Sequence, residues 1–230
     1  MTFLAKALRF WQAAVMEETD TFYRRRLPHW EKPDGTYFIT FRVAGSLPQS
    51  LLQQAEAEIR SVEQRLRQQG CPASEFERER LAIMERYLDE DRTNPILANP
   101  QLATLVRDAL LFHHGKKYDL LAWCIMPNHV HLLLKPLPKG TPPSRRSESV
   151  AETAGTAAFH SLAEILHGLK SYTAHEAGKR GLVSGALWQR EYFDRWMRND
   201  EEVEYYRQYI HSNPVKAGLT QTTEEYPWLG

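Results

Sequence analysis

Two apolar runs, Tyr118 to Met126 and His129 to Lys135, are separated only by Pro127-Asn128. Runs of this length, rich in aromatic and aliphatic residues and punctuated by a proline-asparagine pair, read as strands with a tight connection. Their order suggests an antiparallel pair, with one long bulged strand as the alternative reading. Around this pair the pattern alternates strand and helix. Tyr37 to Val43 follows the turn signal Pro33-Asp34-Gly35 and ends before Gly45, as a first core strand does. Leu102, Leu105, Val106, Ala109, Leu110 and Phe112 recur at helical spacing, and the segment stops near Gly115. Ser161 stands before a helical run through Leu162, Ile165, Leu166, Leu169 and Tyr172. An extended piece from Ala186 to Met197 follows, then a helix capped by Asn199 or Asp200 and expected to stop near Asn213-Pro214.

Strands separated by helices, with adjacent antiparallel strands in the middle, describe an α+β fold: a ferredoxin-like antiparallel sheet with packed helices. Residues 47 to 92 interrupt that plan. They are rich in Gln, Glu, Arg, Ala and Leu with a break at Gly70-Cys71-Pro72, the mark of an inserted polar helical hairpin. Residues 137 to 160 carry no hydrophobic period and read as a flexible loop. Residues 1 to 22 form an extension, either a short amphipathic helix or without order, and 221 to 230 form a tail. The stretch between them, 23 to 220, reads as a single domain.

Composition narrows the function classes. With 42% hydrophobic and 25% charged residues the 230-residue chain is an ordinary globular one. Two cysteines, Cys71 and Cys124, are too few for a disulfide framework or a thiolate zinc site, so a reducing cytoplasmic setting fits. Lys6, Arg9 and Gln12 interrupt the apolar start before it could serve as a signal or cross a bilayer, and no membrane contact is expected. Formal net charge is zero, which argues against coating nucleic acid by bulk charge. The charge is nevertheless segregated: residues 1–45, 46–93, 94–198 and 199–230 carry nets of +2, −3, +5 and −4. A local site for a polyanion is compatible with that pattern, though solvated helix faces produce it too.

The residues with the most chemistry are His129-Val130-His131. On a strand, side chains at i and i+2 share a face, so two imidazoles project together and form half a site for a divalent metal. Taken alone, such a tripeptide more often just decorates a sheet. On the last helix Tyr209 and Asn213 stand four residues apart, so a phenol and an amide oxygen are presented on one side. The amide can be a hard third ligand beside two imidazoles, and the phenol can attack phosphorus. The plain alternatives are a core tyrosine and an asparagine helix cap.

The segments RRRLPHWEKPDGTYFITFRVAGSLP, YDLLAWCIMPNHVHLLLKP, SLAEILHGLKSYT and LWQREYFDRWMRNDEEVEYYRQYIHSNPVKAGL resemble the REP-associated tyrosine transposases. These are bacterial relatives of the single-tyrosine HUH transposases. The motifs run in the family's order over most of residues 24 to 220, leaving out the N-terminal extension, much of the polar hairpin and the loop. The resemblance implies His129 and His131 as metal ligands, Tyr209 as nucleophile and Asn213 as third ligand, with Mg²⁺ or Mn²⁺ as cofactor. Insertion-sequence relatives carry glutamine where Asn213 stands; asparagine is one methylene shorter, a gap that a water molecule can bridge. The implied activity is cleavage and rejoining of single-stranded, hairpin-containing DNA through a 5′-phosphotyrosine intermediate. REP-like palindromes are the implied partner, in a cytoplasmic, nucleoid-associated setting, with monomer or homodimer left open.

For DNA contact the candidates are Arg24, Arg25, Arg26, Lys116, Lys117, Lys170 and Arg190, with Trp188, Tyr192, Phe193 and Trp196 as stacking surfaces. Trp188 and Tyr192 read more readily as packing residues. No general base for Tyr209 is legible. Two other classes stay open: a non-catalytic protein that binds DNA hairpins, and a metal-dependent phosphodiesterase that uses water instead of the phenol.

Overall fold

A computed structural model describes residues 21–24, 28–32, 34–90, 93–140 and 158–230. The expectations for residues 1 to 20, for Arg25 and Arg26, and for most of the 137–160 loop lie outside the described residues. In chain order the elements are β1 (Thr21–Arg24), β2 (Pro28–Glu31), β3 (Tyr37–Val43), α1 (Gln49–Gln68) and α2 (Ala73–Glu90). There follow α3 (Pro100–His113), β4 (Tyr118–Ile125), β5 (His129–Pro136), α4 (Leu162–Lys179), β6 (Trp188–Trp196) and α5 (Asp200–Lys216).

Strands β4, β5, β3 and β6 lie side by side in that order, and every neighbouring pair is antiparallel. With α3 between the first and second core strands and α4 between the third and fourth, this is the ferredoxin-like β-α-β-β-α-β arrangement. The tight connection at Pro127-Asn128 does join an antiparallel pair, β4 and β5, and Met126 N donates to the carbonyl of His129 at 2.9 Å. β1 and β2 form a separate two-stranded hairpin.

The sheet is covered on both faces, which explains why its strands are nearly continuous apolar runs. On one face Tyr37, Ile39, Phe41, Val130, Leu132 and Leu134 pack against Leu102, Val106 and Leu110 of α3 and Ile165, Leu166 and Leu169 of α4. On the other, Phe38, Ala122, Cys124 and Leu133 pack against Tyr206 and Ile210 of α5 and Leu81 of α2. Because successive residues alternate, the face that carries Phe38 and Leu133 also carries Thr40, His129 and His131. The hairpin of α1 and α2 follows β3 and reaches this second face.

Local signals act where the residues place them. Ser161 forms a reciprocal capping box with Glu164, and Asn199 accepts from Glu202 N at 2.8 Å to start α5. Asn99 caps α3, with Pro100 in its first turn. The last helix departs from expectation, since it runs through Asn213-Pro214 to Lys216. Proline loses only the bond its own N–H would have made; beyond it, Ala217 N donates to Asn213 O at 2.9 Å and Leu219 N to Pro214 O at 2.9 Å. The final residues lie along the outer edge of β4, where Ile125 N donates to Trp228 O and Trp123 N to Gly230 O. This covers an edge that would otherwise offer unpaired backbone groups.

Among the described residues no helix is long and apolar enough to cross a membrane. Leu132 is fully enclosed between β5 and the α3/α4 layer. Replacing it by alanine is expected to destabilise the fold by about 2 to 5 kcal/mol, measured by equilibrium urea unfolding.

Candidate active site

Four elements bring polar side chains together under the second face of the sheet. The turn at Pro127-Asn128 starts β5 so that His129 and His131 face α5, and both are 0% exposed. Thr40 on β3 is the cross-strand partner of His131. One turn apart on α5 stand Tyr209 and Asn213, the latter 1% exposed. From α2 comes Glu85, 3% exposed.

The hydrogen bonds around the two imidazoles define which nitrogens carry hydrogen. Thr40 Oγ1 donates its one hydrogen to Glu85 Oε1 at 3.0 Å, so at the 2.9 Å contact with His131 Nδ1 it must accept. Asn128 Oδ1 has only lone pairs to offer and lies 2.7 Å from His129 Nδ1, while the Asn128 amide donates to Leu88 O at 3.0 Å. Both Nδ1 atoms are thus donors, and each ring turns its Nε2 toward the other. Those two Nε2 atoms are 2.8 Å apart. Burial, and then the neighbouring His131, hold the His129 imidazole well below the usual histidine range, so it stays neutral.

Around this pair the remaining groups close in. Glu85 Oε2 lies 3.0 Å from His131 Nε2 and accepts from the Tyr209 phenol at 3.0 Å. Asp89, one turn further along α2, has Oδ1 3.8 Å from His129 Nε2. Asn213 Nδ2 sits 3.1 Å from His131 Nε2 and 3.2 Å from the Tyr209 oxygen, and the buried Asn213 Oδ1 has no hydrogen-bond partner. The amide NH₂ faces the histidine side, so its oxygen would meet an ion between the two Nε2 atoms only after the amide turns end for end. Burial first, then Glu85 and Asp89, raise the Tyr209 phenol above the ordinary tyrosine value and keep it protonated.

The donor set fits a divalent cation. Glu85, His129 and His131 offer one atom each, all within 4.8 Å of one another, and imidazole nitrogen with carboxylate oxygen suits a range of divalent metals. Two facing imidazole nitrogens, and the partnerless Asn213 oxygen once turned toward them, are what such an ion would satisfy.

The structure brings His129, His131, Tyr209 and Asn213 into one cluster. It also adds Thr40 and Glu85, which reading the sequence missed. A signal for Glu85 existed: it lies four residues after Leu81 and three before Leu88, both buried, so a carboxylate sits on the apolar stripe of α2. The polar hairpin is therefore more than an outlying elaboration.

The basic candidates are dispersed. Lys116 and Lys117 sit in the turn before β4, at the end of the β4–β5 pair remote from His129, with the Lys116 ammonium 3.7 Å from the centre of the Phe112 ring. Lys170 is bound inward, donating to the carbonyls of Gln189 at 3.0 Å and Glu191 at 3.3 Å. Arg190 is exposed, and Arg24 lies in β1. Trp188 and Tyr192 are core residues, as their packing reading requires, which removes them as stacking surfaces. Phe193 lies under Arg80 and Trp196 under Lys32.

No protein-family model matches the chain. Two curated proteins do. One, from Haemophilus influenzae and provisionally named a REP-associated tyrosine transposase, is 23% identical over 111 residues, 48% of this chain and 57% of the relative. The other, the REP-associated tyrosine transposase of Escherichia coli K12, is 20% identical over 125 residues, 54% of this chain and 61% of the relative. The chain resembles the REP-associated tyrosine transposases. It spans about 60% of the length of the curated relatives it matches. A solved REP-associated tyrosine transposase bound to a REP hairpin shares the fold, with a TM-score of 0.50 at 17% identity over 93% of this chain and 82% of that one.

Thr40 offers a direct check on the imidazole geometry. Thr40→Val removes the acceptor for His131 Nδ1, and Mn²⁺ affinity measured by calorimetry is expected to fall about 10- to 100-fold, with Thr40→Ser restoring it. Equal affinity in the valine variant would refute the assignment of ring hydrogens.

Proposed function

We propose that this protein is a metal-dependent strand transferase that cleaves and rejoins single-stranded, hairpin-containing DNA through Tyr209. The observation that carries this reading is the meeting of the half-buried Tyr209 phenol with the buried His129, His131, Asn213 and Glu85 in one cluster. A hydrolase using water has no need of a phenol held 3.2 Å from the Asn213 amide and within a hydrogen bond of Glu85. The relatives named as REP-associated tyrosine transposases, and the likeness to a solved transposase bound to a REP hairpin, support the same reading.

His129 and His131 would hold a Mg²⁺ or Mn²⁺ ion with Asn213. When bound, such an ion polarises a nonbridging phosphodiester oxygen and neutralises charge that develops on it. The protein's own residues do the rest. Thr40 and Asn128 fix both rings so that each Nε2 faces the centre. Asn213, one turn beyond Tyr209, holds the phenol oxygen in place. Tyr209 Oη forms the new bond to phosphorus as the bond from phosphorus to the 3′ oxygen breaks. The phenolic proton is balanced by the proton gained on the released 3′-hydroxyl, and the 5′ side remains as a phosphotyrosine ester. Attack by a later 3′-hydroxyl on that ester reverses the sequence and rejoins the strand. Its setting is cytoplasmic, at the nucleoid, and its partner is a REP-like palindrome.

The test is incubation of the purified protein with labelled single-stranded hairpin oligonucleotides from the flanks of its own gene, with Mn²⁺ or EDTA, read on a denaturing protein gel. A metal-dependent protein–DNA adduct that Tyr209→Phe abolishes is the expected result. Cleavage without an adduct, unchanged by that substitution, assigns hydrolysis by water instead; tight binding with neither makes the chain a hairpin-binding module.

A further inference from the structure

We infer that the Glu85 carboxylate occupies the subsite of the substrate's scissile phosphate, and that the α1–α2 hairpin is a cover that DNA must displace. The inference rests on the strand-transfer reading above. Glu85 presents two oxygens sharing one negative charge, as the nonbridging oxygens of a phosphodiester do. Oε2 meets the Tyr209 phenol and His131 Nε2, each at 3.0 Å, and Oε1 receives the Thr40 hydroxyl at 3.0 Å. A phosphorus atom under attack by Tyr209 has to come within bonding reach of that same phenol oxygen. Carboxylate and phosphate therefore compete for one position.

Access leads to the same conclusion. His129, His131, Asn213 and Glu85 are all buried, whereas a DNA strand continues on both sides of its scissile phosphate. One wall has to move. β3 and β5 are the two inner strands of the sheet, and α5 carries the nucleophile on a helix anchored by Tyr206 and Ile210 in the core. The α1–α2 hairpin is the separable wall. Its helices are tied to each other by Arg86 and Tyr87 bonding Glu58. On the sheet side it is seated by Leu81, Glu85 and the Asn128 bond to Leu88 O. At the rim Arg78 lies over Tyr205 at 5.7 Å and Arg80 over Phe193 at 5.5 Å. Its two roots stand side by side, where Asn94 Nδ2 donates to Ala44 O at 2.6 Å, and Leu47 and Asn94 there have φ of 64° and 51°. Adjacent roots are what a hinged element needs. Residues 49–90 also carry a net charge of −3, so the wall repels the polyanion that has to pass it.

Two variants of the full-length protein test this. Glu85→Ala removes the competitor, and Arg78→Ala with Arg80→Ala loosens the rim without touching the cluster. Binding is read by fluorescence anisotropy with a labelled single-stranded hairpin oligonucleotide and Mn²⁺. Backbone opening is read by hydrogen exchange of α1–α2 with and without saturating oligonucleotide. Both variants are expected to bind about tenfold tighter than wild type, and oligonucleotide is expected to speed exchange in the wild-type hairpin. Weaker binding by Glu85→Ala, or α1–α2 amides that stay protected while wild type forms the adduct, overturns the cover and leaves strand transfer standing. Absence of binding by wild type and both variants overturns strand transfer and the cover with it.

Discussion

Two imidazole nitrogens, each on a ring that donates from its far side, face one another at 2.8 Å with no exposure to solvent. Burial prevents water from intervening, so the polar groups of the pair have to be met by other side chains. The arrangement endures only because Thr40, Asn128, Glu85, Asp89 and Asn213 surround the pair. They come from four places in the chain, so the β3–β5 register, the β4–β5 turn, and the seating of α2 and α5 all have to be right at once. A buried polar network of this kind specifies one geometry when complete.

The two faces of the sheet divide the work. The α3/α4 side is an uninterrupted apolar layer of valine, leucine, isoleucine and aromatic rings, and it supplies most of the driving force for folding. The opposite side has fewer apolar partners and gives its central position to Thr40, His129 and His131. Strand alternation makes this division economical: Val130 and Leu132 anchor the same strand whose intervening residues point into the cluster. Polar groups are tolerated on one side because the other side does not depend on them.

Much of this was legible in the residues. The β4–β5 pair, the antiparallel sheet and the caps at Ser161 and Asn199 follow from signals within a few positions of each other. His129 with His131 and Tyr209 with Asn213 are likewise local pairs, set by strand and helix periods. What escaped is long-range. Glu85 meets Tyr209 from 124 positions away and Thr40 meets His131 from 91 away, and no local period encodes either meeting. α5 passes Pro214 because tertiary packing buries that turn, which outweighs the preference of the preceding residue. Lys170 carries the same charge as an exposed lysine but has three carbonyl oxygens within reach.

The contributors to the cluster lie in the chain in the order Thr40, Glu85, His129, His131, Tyr209, Asn213. During synthesis the histidines therefore leave the ribosome well before the phenol does. A nascent chain can pair β3 with β5 while α5 is still missing, but no phenol reaches the histidines until that last helix docks. Assembly of the cluster is in this way tied to completion of the fold, and no unfinished polypeptide holds all of its groups together.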